Sequence, residues 1–143
     1  MTQIHQTAIH VVHDDRVVMQ TLLDFLSYLG YAATPIRHAN ELLASLEAKR
    51  QKVDVVVAKL DKGGADILRA VHERYPQVAF VLITDAFGSF PAAEAASYGV
   101  FAYLREPIQL CELELSLARL EECNSLARLC ESKLVSLPSA SPA

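Results

Sequence analysis

Val53-Asp54-Val55-Val56-Val57-Ala58 is apolar at every position but Asp54. A run of this kind is a strand covered on both faces, which is the habit of parallel sheets. Working outward, the same kind of segment recurs. Ala8-Ile9-His10-Val11-Val12 lies before it and Phe80-Val81-Leu82-Ile83-Thr84 after it, with weaker strands expected over Tyr31 to Ile36 and Val100 to Leu104. Pro35 cannot donate to a ladder, so the second strand belongs at an edge. Helical spacing fills the gaps: Val17, Val18, Leu22, Leu23, Phe25, Leu26 and Leu29, stopped by Gly30; Leu42, Leu43 and Leu46, with Asn40 as cap; Ile67, Leu68, Val71 and Tyr75, stopped by Pro76. Ala92 to Tyr98, closed by Gly99, makes a fourth helix, and Pro107 is the expected start of a long fifth. Five strands alternating with five helices predict a parallel α/β sheet.

The bulk composition narrows the function. The chain has 143 residues, 52% of them hydrophobic and 21% charged, which suits one globular domain. Its net charge of −4 leaves no basic footprint for nucleic acid. No apolar run approaches the roughly 20 residues of a membrane span, and Met1 to Gln6 lacks a secretory pattern, so a cytoplasmic protein is expected. Cys111, Cys123 and Cys130 are odd in number, have no C-x-x-C spacing, and read as reduced thiols. In the last helix Leu113, Leu117, Leu120, Asn124, Ala127 and Leu134 fall on a heptad seam, interrupted by Glu131. That seam predicts either packing on the sheet or a homodimer through the last helix. The expected division is a domain over 1–123, followed by a helix extension and a Ser/Pro/Ala-rich tail over 124–143.

In an open parallel sheet, function collects beyond the C-terminal strand ends. Those ends carry Asp14, Asp15, Lys59, Thr84, Asp85 and Glu106. Singly each has an ordinary reading: Asp15 a helix cap, Thr84 a strand-end hydroxyl, Lys59 a solvated loop cation. Six at one rim exceed what packing requires. His5, His10 and His13 alternate along the first strand and read as surface or strand-face histidines rather than metal ligands.

Over about residues 7 to 123 the chain resembles the receiver domain of two-component response regulators. Ile9 to Asp15 is similar to that family's first strand and acidic pair. Asp54-Val55-Val56-Val57-Ala58 resembles the approach to its phosphorylation site, and Gly64-Ala65-Asp66 the turn after it. Val81-Leu82-Ile83-Thr84 resembles the fourth strand with its switch hydroxyl, and Gly99 to Pro107 the fifth strand and following turn. The resemblance implies a flavodoxin-like, doubly wound sheet of five parallel strands in the order 2-1-3-4-5 with five helices. It also implies a magnesium site at the acidic pair. Thr84 and Tyr103 would be the switch hydroxyl and aromatic, coupled to a protein partner on the face of the fourth helix, fifth strand and fifth helix.

The departures fall in the active site. Lys59 stands where the family has its phosphate-accepting aspartate, Glu106 where it has a lysine, and Asp85 where it has a small residue. Gly63 and Ile67 replace the usual proline and glycine of the third loop. An ammonium beside carboxylates stays protonated and is no nucleophile, and its charge opposes magnesium. The expected function is therefore a pseudo-receiver: signalling by protein contact, no enzyme activity, no cofactor or metal, no nucleic acid and no membrane. Lys59 is expected to bridge Asp14 or Asp15 to Glu106 or Asp85. Two other classes compete. One is phosphorylation at a displaced carboxylate, Asp61 or Asp85. The other is an enzyme forming a Schiff base at Lys59, disfavoured because a ring of carboxylates raises rather than lowers that pKa. A flavin or dinucleotide site would require a glycine-rich loop after the first strand, and His13-Asp14-Asp15-Arg16 has none.

Overall fold

The computed structural model describes residues 7–48 and 52–136. Five strands alternate with five α-helices: β1 (Ala8–Val12), α1 (Arg16–Tyr28), β2 (Ala32–Ile36), α2 (Leu42–Glu47), β3 (Val55–Lys59), α3 (Ala65–Arg74), β4 (Ala79–Thr84), α4 (Ala92–Ser97), β5 (Ala102–Arg105) and α5 (Leu110–Ser136). All strand pairs are parallel, in the order β2-β1-β3-β4-β5. This is the flavodoxin-like, doubly wound arrangement, and Pro35 sits on the edge strand β2 as its missing N–H demands.

Side-chain alternation along β3 shows why the central strands are apolar throughout. Val56 and Ala58 point into a core shared with Leu42, Leu68, Val71, Phe80 and Leu82. Val55 and Val57 point the other way, into a core with Leu22, Leu26, Ile83, Leu113 and Leu117. One face is thus covered by α2, α3 and α4, the other by α1 and α5, and successive residues are buried in turn. At the end of α1 the chain reverses through Gly30, whose φ of +97° suits a residue without a Cβ. The N–H of Tyr31 then reaches back to the Leu26 carbonyl at 2.9 Å.

Several boundaries differ from those expected. Lys59 is the last residue of β3, paired in register with Ile83, rather than part of the loop. β5 begins at Ala102 instead of Val100. Asn40 does not cap α2; it lies within a short 3-10 turn, Ala39–Glu41, and α2 starts after that turn with no side-chain cap. Pro107 does not open α5. It follows Glu106 in a cis peptide bond, and the last helix is entered where the Gln109 carbonyl accepts from Glu112 and Leu113.

The first half of the heptad seam takes the sheet-packing alternative. Leu113, Leu117 and Leu120 are buried in the core of this chain, so they are unavailable for pairing with another. α5 nevertheless continues unbroken for 27 residues, about 40 Å. His5 and the residues after 136 lie outside the described residues, as do the side chains of Ala127, Cys130, Glu131 and Leu134.

Candidate functional site

Backbone pairing on β4 sets the site. The Leu60 N–H donates to the Ile83 carbonyl at 3.1 Å, extending the ladder one residue beyond Lys59. On the other side of β4 the Glu106 N–H donates to the Thr84 carbonyl at 2.8 Å. Lys59 and Glu106 are therefore both fixed at the rim, and their side chains meet: Lys59 Nζ lies 3.0 Å from Glu106 Oε1. Asp14, carried in by the turn after β1, brings Oδ1 to 3.6 Å from the same ammonium.

The second oxygen of Glu106 has its own partner. His13 Nε2 lies 2.9 Å from Glu106 Oε2, and His13 Nδ1 accepts the Asp15 N–H at 3.0 Å. A backbone amide can only donate, so Nδ1 carries the lone pair and Nε2–H donates to Glu106. Glu106 thus accepts from Lys59 through one oxygen and from His13 through the other. The His13 side chain is 1% exposed and that of Glu106 19%, whereas Asp14 is 78% exposed. The firm part of the site is His13–Glu106–Lys59, with Asp14 on its outer side.

Of the histidines read as surface or strand-face residues, His10 is on the strand face of β1, and only His13 departs from that reading. His13 belongs to the site. His10 is buried behind it, its Nδ1 at 3.1 Å from Ser45 Oγ. Since the Ser45 hydroxyl donates to the Leu42 carbonyl at 2.7 Å, its oxygen is left to accept from His10. One signal in the sequence pointed to His13: it stands directly between the last apolar residue of β1 and the acidic pair.

The other rim residues turn elsewhere. Asp15 keeps its ordinary role, its Oδ1 accepting from the Val17 and Val18 N–H groups at the start of α1. Asp85 is drawn into its own loop, accepting from Phe87 N, Ser89 N and the Ser89 hydroxyl at 3.1, 3.0 and 2.5 Å. The Ser89 hydroxyl and backbone hold its carboxyl below the ordinary range. Of the four bridging partners expected for Lys59, Asp14 and Glu106 make the contact; Asp15 and Asp85 do not. Thr84 is fully buried and its Oγ1 accepts from the Phe90 N–H at 3.2 Å. The Tyr103 hydroxyl donates to the Phe90 carbonyl, so the switch pair of the resemblance meets at one buried residue that sequence reasoning passed over.

Burial works to lower the pKa of Lys59, but the hydrogen bond and charge of Glu106, with the charge of Asp14, outweigh it and raise it above its ordinary value. The ammonium is fully charged at neutral pH. With Lys59 in place, the donor set does not fit a divalent cation. The oxygens of Asp14 and Glu106 facing the rim already face Lys59, Asp15 is spent on α1, and no group of three His, Cys, Asp or Glu among the described residues is placed to hold a metal ion. No helix among those residues is long and apolar enough to cross a membrane.

No protein-family model matches the chain. Over 105 residues, 71% of its length, it is 27% identical to the DNA-binding transcriptional regulator NtrC of Proteus hauseri, and it spans 22% of that regulator. Among solved structures it is similar to the signal receiver domain of an HD domain-containing protein from Pseudomonas fluorescens Pf-5. That match has 29% identity and a TM-score of 0.71, over 85% of this chain and 99% of the other. A response regulator receiver domain protein from Clostridium thermocellum, 23% identical, matches in fold with a TM-score of 0.75 over 85% of this chain and 98% of that one. The five-stranded fold and these sequence likenesses together support a response-regulator receiver domain.

Proposed function

We propose that this receiver signals through protein contact without taking a phosphoryl group, its acidic site being closed by its own lysine. One observation carries the proposal: the Lys59 ammonium stands 3.0 Å from Glu106 and 3.6 Å from Asp14. Transfer to an aspartate requires a carboxylate nucleophile and a cation that neutralises the incoming phosphate. Lys59 removes the first, and its protonated state makes it no substitute. It also supplies a fixed positive charge that the carboxylates have in place of a metal.

Displaced phosphorylation finds little support in the two alternative carboxylates. Asp61 accepts from Gly63 N at 3.0 Å in the turn after β3, and Asp85 is held by three donors of its own loop. Thr84 and Tyr103 are both committed to Phe90, which favours a signalling face of α4, β5 and α5 held in one arrangement and read by a protein partner. We place the protein in the cytoplasm, with no enzymatic activity of its own.

Intact mass after incubation with acetyl phosphate and magnesium tests this. The natural chain should gain nothing, whereas Lys59→Asp combined with Glu106→Lys, which restores the ordinary polarity of the site, should gain one phosphoryl group. A phosphoryl adduct on the natural chain would overturn the proposal, and its location at Asp61 or Asp85 would identify the displaced acceptor.

A further inference from the structure

On the side of α5 away from the core, Leu115 and Leu126 are 61% and 56% exposed, two of the large hydrophobic side chains that stand out from the described residues. Arg119 and Glu122 lie between them, both exposed, and neither makes an ion pair among the described residues. The numbers 115, 119, 122 and 126 step by four, three and four, the spacing that keeps side chains on one helix face and alternates the two inward positions of a coiled coil. This is a different seam from the one buried in the core.

The order along it is self-complementary. Leu-Arg-Glu-Leu read backwards is Leu-Glu-Arg-Leu. An identical helix laid antiparallel about a two-fold axis between residues 120 and 121 therefore sets Leu115 on Leu126 and Arg119 on Glu122, each pair occurring twice. Parallel alignment in register instead opposes Arg119 to Arg119 and Glu122 to Glu122, so charge selects the antiparallel direction. A groove of about 380 Å³ runs beside the seam, lined in part by Phe101, Ala102 and Leu126, where the sheet ends at β5. It leaves room for side chains of an incoming helix.

We propose that a second copy of this chain docks antiparallel on the Leu115–Arg119–Glu122–Leu126 face of α5, forming a two-fold dimer. This surface is independent of the Lys59 site, and the dimer stands or falls separately from the question of phosphorylation. Sedimentation equilibrium of the full chain over a range of concentrations tests it. The natural chain should dimerise. Arg119→Glu alone and Glu122→Arg alone should each weaken the dimer by roughly tenfold or more, because each puts like charges together twice. Their equimolar mixture should dimerise again, since every 119–122 contact across the two chains is then opposite in charge. Both positions are exposed, so circular dichroism should show each variant folded. A natural chain that stays monomeric throughout, a dimer indifferent to Arg119→Glu, or a mixture no more associated than its components would overturn the proposal.

Discussion

At the residue scale the site turns on what a lysine does at the end of a central strand. Glu106 is largely buried, and its two oxygens are satisfied by different partners, Lys59 and His13. Removing the ammonium leaves one carboxylate oxygen facing Asp14 with no cation between them. Lys59→Ala should therefore destabilise the fold by about 2 kcal/mol in urea denaturation, below the ~3–5 kcal/mol of a fully buried pair because the lysine side chain keeps some contact with water. A neutral result would mean that solvent already screens the contact. Lys59 and Glu106 were legible in the sequence because both charges stand at strand ends, where a parallel sheet gathers its chemistry. His13 was not. Its role depends on a ring nitrogen accepting from the Asp15 backbone, a local geometry that spacing does not encode.

At the scale of elements, the β4–α4 connection couples the rim to the helices. Thr84 and Tyr103 reach Phe90 from two strands, one through its N–H and the other through its carbonyl. Thr84→Val keeps the shape of the side chain but leaves the buried Phe90 N–H without its acceptor. It should cost about 1–3 kcal/mol, measured by chemical denaturation. α5 behaves as a structural helix over its first turns, so Leu117→Ala, at a site with 1% exposure, should cost about 2–5 kcal/mol. The apolar runs located β1, β3 and β4 plainly, because burial on both faces leaves a clear mark in sequence, while the more exposed β2 and β5 left only a weak one. Helix starts were less legible. Pro107 and Asn40 carry the residue types of a helix start, yet the backbone around each takes another turn first, and tertiary packing decides where the helix begins.

At the scale of the whole molecule, His10 and Lys59 make stability respond to pH in opposite senses. Burial lowers the pKa of His10 from its ordinary 6.5, so the unfolded chain binds this proton more readily than the folded one. The corresponding stability is complete above about pH 6.5 and is lost as pH falls through the lowered folded value. Replacing His10 with Gln should flatten the acid side of the thermal stability profile. Lys59 works in the opposite sense: its pKa is raised above 10.5, so its contribution is complete below that value and is lost as pH rises beyond it. The parallel order of strands and the rim where function gathers followed from the sequence pattern and the resemblance. For α5 the heptad spacing left packing on the sheet and pairing with a second helix both open, because one leucine pattern serves either; in the structure Leu113, Leu117 and Leu120 serve the core.

The resident ammonium is tested most directly by magnesium titration, followed by calorimetry, of the natural chain and of Lys59→Ala. With Lys59 present its ammonium occupies the position between Asp14 and Glu106, and no binding heat should appear; with it removed, the two carboxylates face each other without a cation and a divalent cation should bind. Magnesium binding to the natural chain as tight as to Lys59→Ala would contradict the account.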